Sequence, residues 1–270
     1  MAKRPNRINL SPVTIDMKND QIIYIISVVI IAIAIAAFVY MNMRPQIPIV
    51  IIAYNNLFFV RNFIDQLKKF DNPIILMDNN STYPLLLEYY KELKQELGSR
   101  VDIRLLEKNH GSNVTYILKD SLPEIYILSD PDLGLNPRMP ANFAEILLKL
   151  SREHEAYKVG LALDLSDKEK FLKCKQYTHG KTIYEWEKKF WEMPIPDDHY
   201  ELYKAPTDTT FCLINRKFPE ENQIRVAGDF TVKHLPWYKN FLKDHISEEE
   251  LAYWKRGNNS SSILITCITD

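Results

Sequence analysis

Twenty consecutive residues, Ile22–Met41 (IIYIISVVIIAIAIAAFVYM), hold no charge and no proline, and Ser27 is their only polar side chain. At 1.5 Å of rise per helical residue, a run of about 20 apolar residues matches the ~30 Å hydrocarbon core of a bilayer. A buried helix of a globular domain is seldom apolar all round over such a length. The apolar stretch of a cleaved signal peptide is usually about 7–15 residues and lies nearer the N-terminus, whereas residues 1–21 precede this block. The block therefore predicts an uncleaved transmembrane signal-anchor helix over 22–43, behind a cytoplasmic tail, 1–21. Lys3, Arg4, Arg7 and Lys18 stand before it against Asp16 and Asp20, and only Arg44 comes directly after. By the positive-inside tendency the N-terminus stays cytoplasmic, giving a single-pass type II protein whose large part is lumenal or extracytoplasmic.

The chain beyond the block has the makings of a folded domain. With 46% hydrophobic and 26% charged residues over 270 positions, disorder, collagen-like repeats and a disulfide scaffold are excluded. Residues 1–44 hold five of the 34 basic and two of the 35 acidic residues, so the remainder carries 29 and 33, a net of −4. A mildly acidic domain argues against nucleic acid as a partner, because phosphate binding shows as a basic surface. Cys174, Cys212 and Cys267 lack metal-site spacing, and the last two lie in apolar strand-like runs. Buried inert thiols are the expected state, with one disulfide in an oxidising lumen as the alternative. Asn-X-Ser/Thr sequons at Asn80, Asn113, Asn258 and Asn259 are weak pointers to a glycosylated compartment.

Pro45-Gln-Ile-Pro48 reads as the end of a stiff stalk, 44–48, ahead of a domain over 49–270. Short β-branched runs then alternate with helical patterns. Strands are expected at Ile49–Ala53, Pro73–Met77, Val101–Leu106, Glu124–Ser129, Val159–Leu163 and Thr210–Ile214, with an edge strand at Ile263–Ile268. Phe59, Phe63, Ile64 and Leu67 are spaced as one helix face, as are Leu86, Tyr89, Tyr90, Leu93 and Leu97 ahead of Gly98, and Phe143, Ile146, Leu147 and Leu150. Such alternation predicts an α/β, mainly parallel sheet with helices on both faces. The segment 168–207, rich in charge, aromatics and proline, reads as loops and short helices over it.

In open α/β sheets ligands bind beyond the carboxyl ends of the strands. Here those ends read Tyr54-Asn55-Asn56, Asp78-Asn79-Asn80-Ser81, Lys108-Asn109-His110-Gly111 and Asp130-Pro131-Asp132. Asp130 and Asp132, two apart on extended backbone, point to the same side. Two carboxylates held so close repel unless a cation sits with them, and hard oxygen ligands suit Mg²⁺ or Mn²⁺. The plain alternative is an Asp-Pro turn.

The runs IVIIAYNN, PIILMDNNST, LLEKNHG and YILSDPDLGLN together resemble the nucleotide-binding half of a GT-A fold (Rossmann-like) glycosyltransferase. More closely, the chain resembles the single-pass glycosyltransferase-like proteins of large DNA viruses and some bacteria. The likeness spans about Pro48 to Tyr238 and is most specific at SDPDLGLN, APTDTTFCLINR and VAGDFTVKHLPWY. It implies a GT-A domain behind one N-terminal transmembrane helix, using a UDP- or GDP-sugar donor with Mn²⁺ or Mg²⁺. It implies that Ala53, Tyr54, Asn55 and Asp78 hold the nucleoside, that Asn109 and Gly111 close over the nucleotide, and that Asp130 and Asp132 hold the metal bridging the donor diphosphate. His234 resembles the late histidine that completes such metal sites.

The residues themselves leave alternatives open. Tyr54 can stack on a base or form core rim; Asp78 can accept from a ribose or close an Asx turn; His234 can ligate or merely pack. Arg225 and Lys233 are candidates to neutralise the leaving diphosphate, or plain surface charges. A base taking the acceptor's proton is first Asp208, then Asp229, then Glu185 or Glu187. The adjacent Glu-Asp pair of many inverting relatives is missing, although Asp197-Asp198 and Glu220-Glu221 occur in loops, so inverting and retaining transfer both stay open. Trp186 and Glu187, within YEWEKKFW, are the acceptor-side candidates, with a satellite hydrophobic cluster as the other reading. The acceptor would be a hydroxyl on a glycan, glycoprotein or glycolipid. Rival readings are nucleotidyl transfer and a catalytically inactive binding domain held at a membrane.

Overall fold

A computed structural model describes residues 19–43, 46–175, 180–258, 263–264 and 267. The chain divides into two units, Met1–Pro45 and Gln46–Asp270. In the first, α1 spans Asn19–Met43 and its described side chains, 21–35, are exposed. Among the described residues no helix is long and apolar enough to cross a membrane; the apolar block Ile22–Met41 runs past the described side chains, and the tail before Asn19 lies outside the described residues.

The second unit opens with Ile47 and Pro48, both buried. The Pro48 carbonyl accepts from Ile127 N (2.9 Å), so the expected stalk already belongs to the domain at its last two residues. The chain then runs β1 (Ile49–Ala53), α2 (Leu57–Leu67), β2 (Ile74–Asp78), α3 (Pro84–Leu97), β3 (Val101–Leu105), the single turn α4 (Val114–Ile117), β4 (Ile125–Ser129), β5 (Leu133–Leu135), α5 (Phe143–Glu153) and β6 (Lys158–Leu161). After α6 (Ile183–Glu187) come β7 (Pro194–Ile195), β8 (Leu202–Lys204), β9 (Cys212–Asn215), β10 (Gln223–Val226), β11 (Val232–His234), α7 (Phe241–His245) and α8 (Glu248–Lys255). Every residue of β1 and β2 is buried, as continuous apolar strands require. Pro84 opens α3 at a position that needs no N–H, and Gly98 ends it at φ 56°, where an L side chain would be strained.

Among the described residues nine strands form the main sheet in the order β3-β2-β1-β4-β9-β6-β10-β8-β7. β3, β2, β1 and β4 are mutually parallel, as is β6 with β10. β9, expected as a further strand of a mainly parallel sheet, lies antiparallel between β4 and β6, and β8 is antiparallel to β10. A separate two-stranded ladder joins β5 to β11.

The expectation of helices on both faces meets a sharper asymmetry. Alternate side chains of β1, Ile49, Ile51 and Ala53, pack with α2, α3 and α5 in the main core. Val50 and Ile52 face the other way, where Val114 and Leu122 of a short helical segment are the cover. α7 and α8 pack on the outer side of α2 through Phe59, Leu242 and Trp254. Glu250 of α8 accepts from Phe58 N (2.7 Å), placing a carboxylate at the N-terminus of α2, where the helix dipole favours it.

Two further expectations change. Cys174 and Cys267 form a disulfide, leaving Cys212 as the buried free thiol. The edge strand at Ile263–Ile268 lies mostly outside the described residues, and the two described in sequence, Ile263 and Leu264, are helical. The described residues of the segment 168–207 are largely loops and short helices, as expected, except that β7 and β8 extend the sheet edge; too short to show a period, they carry no sequence signal of their own.

Candidate functional site

A cavity of about 1200 Å³ opens at the carboxyl ends of β1 and β4 and continues along the thinly covered face of the sheet. Tyr54, Asn79, Asn109, Gly111, Asp130, Asp132, Asp208 and His234 all line it, with Trp186, Glu187 and Arg225 on the far wall.

Its acidic centre is built by two ladders. β4 delivers Asp130, whose N–H donates to the Thr209 carbonyl (3.0 Å), tying it to the chain that leads into β9. Thr209 Oγ1 donates to Asp130 Oδ2. The β5–β11 ladder sets His234 opposite Leu133, and Leu235 N donates to the Asp132 carbonyl (2.9 Å). That register brings His234 Nε2 to 3.6 Å from Asp132 Oδ2 across about a hundred residues of sequence. The imidazole is stacked on Trp237 (4.9 Å, 24°), which fixes its plane.

Burial, with the neighbouring Asp132 carboxylate, pushes Asp130 well above the usual carboxylate range. Burial likewise raises Asp132, against the pull of His234. Asp208 differs: burial pushes it up, but the Thr210 hydroxyl and N–H, Arg225 and His234 outweigh it and hold it low. Both Thr210 bonds fall on Oδ1 (2.6 and 2.9 Å), so Oδ2 remains open to the cavity.

Among the described residues no group of three or more His, Cys, Asp or Glu side chains is arranged so that it could hold a metal ion. The donor chemistry nonetheless fits a hard divalent ion. Asp132 Oδ1 and His234 Nδ1 are buried without a hydrogen-bond partner, which is rare for buried polar atoms. Two carboxylates and an imidazole supply an oxygen-rich, partly filled ligand set that leaves positions for a ligand's own oxygens.

The nucleoside-side candidates divide in two. Asn109 and Gly111 line the cavity; the Asn109 side chain accepts from Gly111 N (2.7 Å), and Gly111 sits at φ 61°. Tyr54 also lines it, its hydroxyl donating to the Arg256 carbonyl. Ala53, Asn55 and Asp78 are buried and occupied internally. The Asn55 amide oxygen accepts from Thr82 N (2.7 Å) and Tyr83 N (2.9 Å), and its Nδ2 donates to the Tyr253 carbonyl (3.1 Å). Asp78 accepts from Ser81 N and from the Tyr90 hydroxyl, both at 2.7 Å, so the Asx-turn alternative describes it; burial raises it above the usual range. Asn79, rather than Asp78, is the residue of that run that meets the cavity. Its side chain donates to the Gly111 carbonyl (3.1 Å) and accepts from His110 N (3.2 Å), pinning the 109–111 loop.

The cationic candidates are spent elsewhere. Lys233 lies one residue from His234 on β11, so the alternation that turns His234 inward turns Lys233 away, onto Asp167 (2.7 Å). Arg225 lines the cavity but is buried and ion-paired with Glu187, while its Nε donates to the Pro206 carbonyl (2.9 Å) and its guanidinium lies 4.2 Å over Phe190. Of the base candidates, Asp208 faces the cavity. Asp229 does not: it pairs with Arg138 (2.7 Å) on an exposed turn. Glu185 is the reciprocal cap of α6 with Thr182. Glu187 is pushed up to about 7 by burial, against the pull of Arg225. Trp186 lines the cavity with Lys189 Nζ 3.1 Å above its ring, so one face of the indole is covered.

The loop 206–208 that presents Asp208 is gripped in a way the sequence does not disclose. Lys158 Nζ donates to the Thr207 and Asp208 carbonyls (3.0 and 3.1 Å), and Gln223 Oε1 accepts from Thr207 N (2.8 Å). Gly160 lies beneath it: a Cβ there would stand 2.0 Å from Thr207 Cγ2. No residue pattern announces such a grip, since its parts come from separate strands.

No protein-family model and no curated protein matches the chain. Among solved structures it is similar to TarS from S. aureus (16% identity, TM-score 0.35, 44% of this chain and 22% of that one). It is similar to the mannosyltransferase PcManGT from Pyrobaculum calidifontis, solved with GDP-Man and Mn²⁺ (13%, TM-score 0.42, 82% and 67%). It is also similar to GalNAc-T7, solved with UDP, GalNAc and Mn²⁺ (14%, TM-score 0.47, 78% and 50%). The chain spans 22% of the first and 50% of the last.

Proposed function

We propose that this chain is a metal-dependent glycosyltransferase of GT-A type, moving a sugar from a nucleotide-diphosphate donor to an acceptor hydroxyl. One observation carries the reading: beyond the end of β4, Asp132 Oδ2 stands 3.6 Å from His234 Nε2, and Asp132 Oδ1 is buried with no partner. Asp130, Asp132 and His234 would hold Mn²⁺ or Mg²⁺, which when bound offsets the charge growing on a leaving diphosphate.

The chain's own residues supply the rest. Asn79 fixes the 109–111 loop, and the Asn109–Gly111 turn with the Tyr54 ring forms the wall for a nucleoside. Asp208, ionised and open at Oδ2, is placed to take the proton of an attacking hydroxyl in an inverting transfer. Arg225 grips the Pro206 carbonyl and so orients the loop that carries Asp208, and Glu187 balances the arginine's charge. The gain is in positioning and preorganised charge. Ile22–Met41 would hold the domain to a membrane, and the Cys174–Cys267 bridge supports its placement on the oxidising side.

Hydrolysis of UDP- and GDP-sugars with Mn²⁺, alongside calorimetry with the free nucleotides, tests this. At least one donor should turn over and its nucleotide should bind only with metal present. No hydrolysis and no nucleotide binding with any of them would sink the reading.

A further inference from the structure

The two ends of the main sheet are guarded differently. One end, β7, is two residues long and opens with Pro194, which has no N–H to offer a further strand. The other, β3, is five residues long, and among the described residues no strand pairs with its outer side. Leu106 N donates to the Asp78 carbonyl (2.9 Å), so residue 106, and by alternation 104 and 102, turn their backbone groups toward β2. Ile103 and Leu105 therefore present theirs outward, and the Leu105 side chain is 63% exposed. Lys94 Nζ donates to the Val101 carbonyl (2.7 Å) and caps the start of this edge. Its centre, at Ile103, carries no such cap among the described residues.

The charges on this edge are complementary to themselves. Asp102 and Arg104, two apart, lie on one face and are bonded at 2.8 Å. An edge guarded by a single sign of charge repels its own copy, whereas this one carries both signs, arranged about Ile103. Turned antiparallel about a two-fold axis at Ile103, two copies set Asp102 of each against Arg104 of the other. Those are the non-hydrogen-bonded positions, where cross-strand side chains stand closest. Ile103 meets its own copy with its outward N–H and C=O, and the exposed Leu105 falls opposite Val101. A two-fold axis at Asp102 or Arg104 would set like charges face to face and turn the wrong backbone groups to the seam.

We infer that β3 is a self-association edge: two copies of this chain join β3 to β3, antiparallel about Ile103, and continue the sheet across the axis. The inference stands apart from the transferase reading, because β3 carries none of the carboxylates of the acidic centre.

Sedimentation of the full chain in neutral detergent micelles, over a series of protein concentrations, should show a monomer–dimer equilibrium. Each substitution counts twice across a two-fold axis, so Asp102→Arg should weaken the dimer by about tenfold or more, as two attractive pairs become repulsive. Asp102→Arg/Arg104→Asp restores the alternation of charge and should restore the dimer; urea midpoints confirm that both variants stay folded. Register is read by oxidative cross-linking with copper phenanthroline, the native cysteines being bridged or buried. Ile103→Cys should cross-link to its own copy, because a hydrogen-bonded antiparallel pair holds its Cα atoms about 5.5 Å apart, within disulfide reach. Leu105→Cys should not, since its own copy lies roughly 14 Å away along the seam. A wild-type chain that stays monomeric, a dimer indifferent to Asp102→Arg, a charge swap that fails to restore it, or cross-linking of Leu105→Cys as fast as Ile103→Cys overturns the inference.

Discussion

Gly160→Ala should damage the site from beneath without touching a charged residue. Gly160 sits on β6 between Cys212 of β9 and Arg225 of β10. A methyl at its Cβ position would lie 2.0 Å from Thr207 Cγ2 and 2.9 Å from Thr207 Cβ. Carbon atoms at rest stand about 3.5–4.0 Å apart, so the loop must rise by roughly 1.5 Å. It cannot rise freely, because Lys158, Gln223 and Arg225 hold the carbonyls or N–H of 206–208. Overpacking of this kind costs about 1–3 kcal/mol, and each hydrogen bond broken to relieve it about 1 kcal/mol more. If the bonds hold instead, Asp208 moves with the loop, and a shift of about 1 Å can reduce turnover on the order of 10²-fold. All four tryptophans lie between residues 186 and 254, so urea unfolding followed by tryptophan fluorescence reports this domain in the full chain. Gly160→Ala/Thr207→Gly should recover most of the loss, with a coupling of about 1–3 kcal/mol. A Gly160→Ala variant within about 0.5 kcal/mol of wild type, with unchanged turnover and no coupling to Thr207→Gly, would refute the reasoning.

Asp132→Asn should abolish metal-dependent nucleotide binding while leaving the urea midpoint within a small shift; calorimetry that finds binding intact removes this carboxylate from the metal site. Arg225→Met strands Glu187 in a buried setting and should destabilise by about 3–5 kcal/mol, whereas Arg225→Met/Glu187→Leu should cost clearly less; equal losses in both would mean that the stranded carboxylate is not the cause. Glu187 also sets a pH response. Its folded value of about 7 lies above the ordinary 4.5, so its contribution is fully present below about pH 4.5 and declines as pH rises through 7, a slope that Glu187→Gln should lack in urea titrations. Cys174→Ser removes a cross-link between residues 93 apart and should cost about 2–5 kcal/mol, with reducing agent reproducing the shift in wild type and doing nothing further to the variant.

The legible parts of the molecule are those set by local chemistry. The apolar strands β1, β2 and β4 and the amphipathic faces of α2, α3 and α5 are periodic in themselves, and the strand ends announce Asp130, Asp132 and the Asn109–Gly111 turn. Asp78 misleads because a carboxylate at a strand end serves a buried turn as readily as a ligand, and only the Tyr90 and Ser81 bonds decide between them. Lys233 misleads by a single step of strand register: β11 is too short for its pleat to show in sequence. Arg225 does reach the cavity, but its partner Glu187 comes from a helix 38 residues away. The disulfide likewise joins segments that no periodicity relates. Contacts made across long sequence separations, rather than the elements themselves, are what the residues do not disclose.

The antiparallel β9 has a consequence for the order in which the molecule comes into being. β6 has β9 and β10 as its sheet neighbours, and both lie later in the chain. As the chain emerges, β1 to β4 can close on one another through short crossovers, but β6 must wait some fifty residues for a partner (Leu161 to Cys212). During that interval β4, with Tyr126, Ile127 and Leu128, presents an unpaired apolar edge of the kind that seeds association. Loop closure over such distances slows folding. Insertion of β9 then does three things at once: it seals that edge, docks β6, and swings Asp208 and Thr209 against Asp130. The acidic centre is thus a late product of folding, and a chain arrested before residue 208 would hold two of the site's carboxylates with neither the third nor the histidine to meet them.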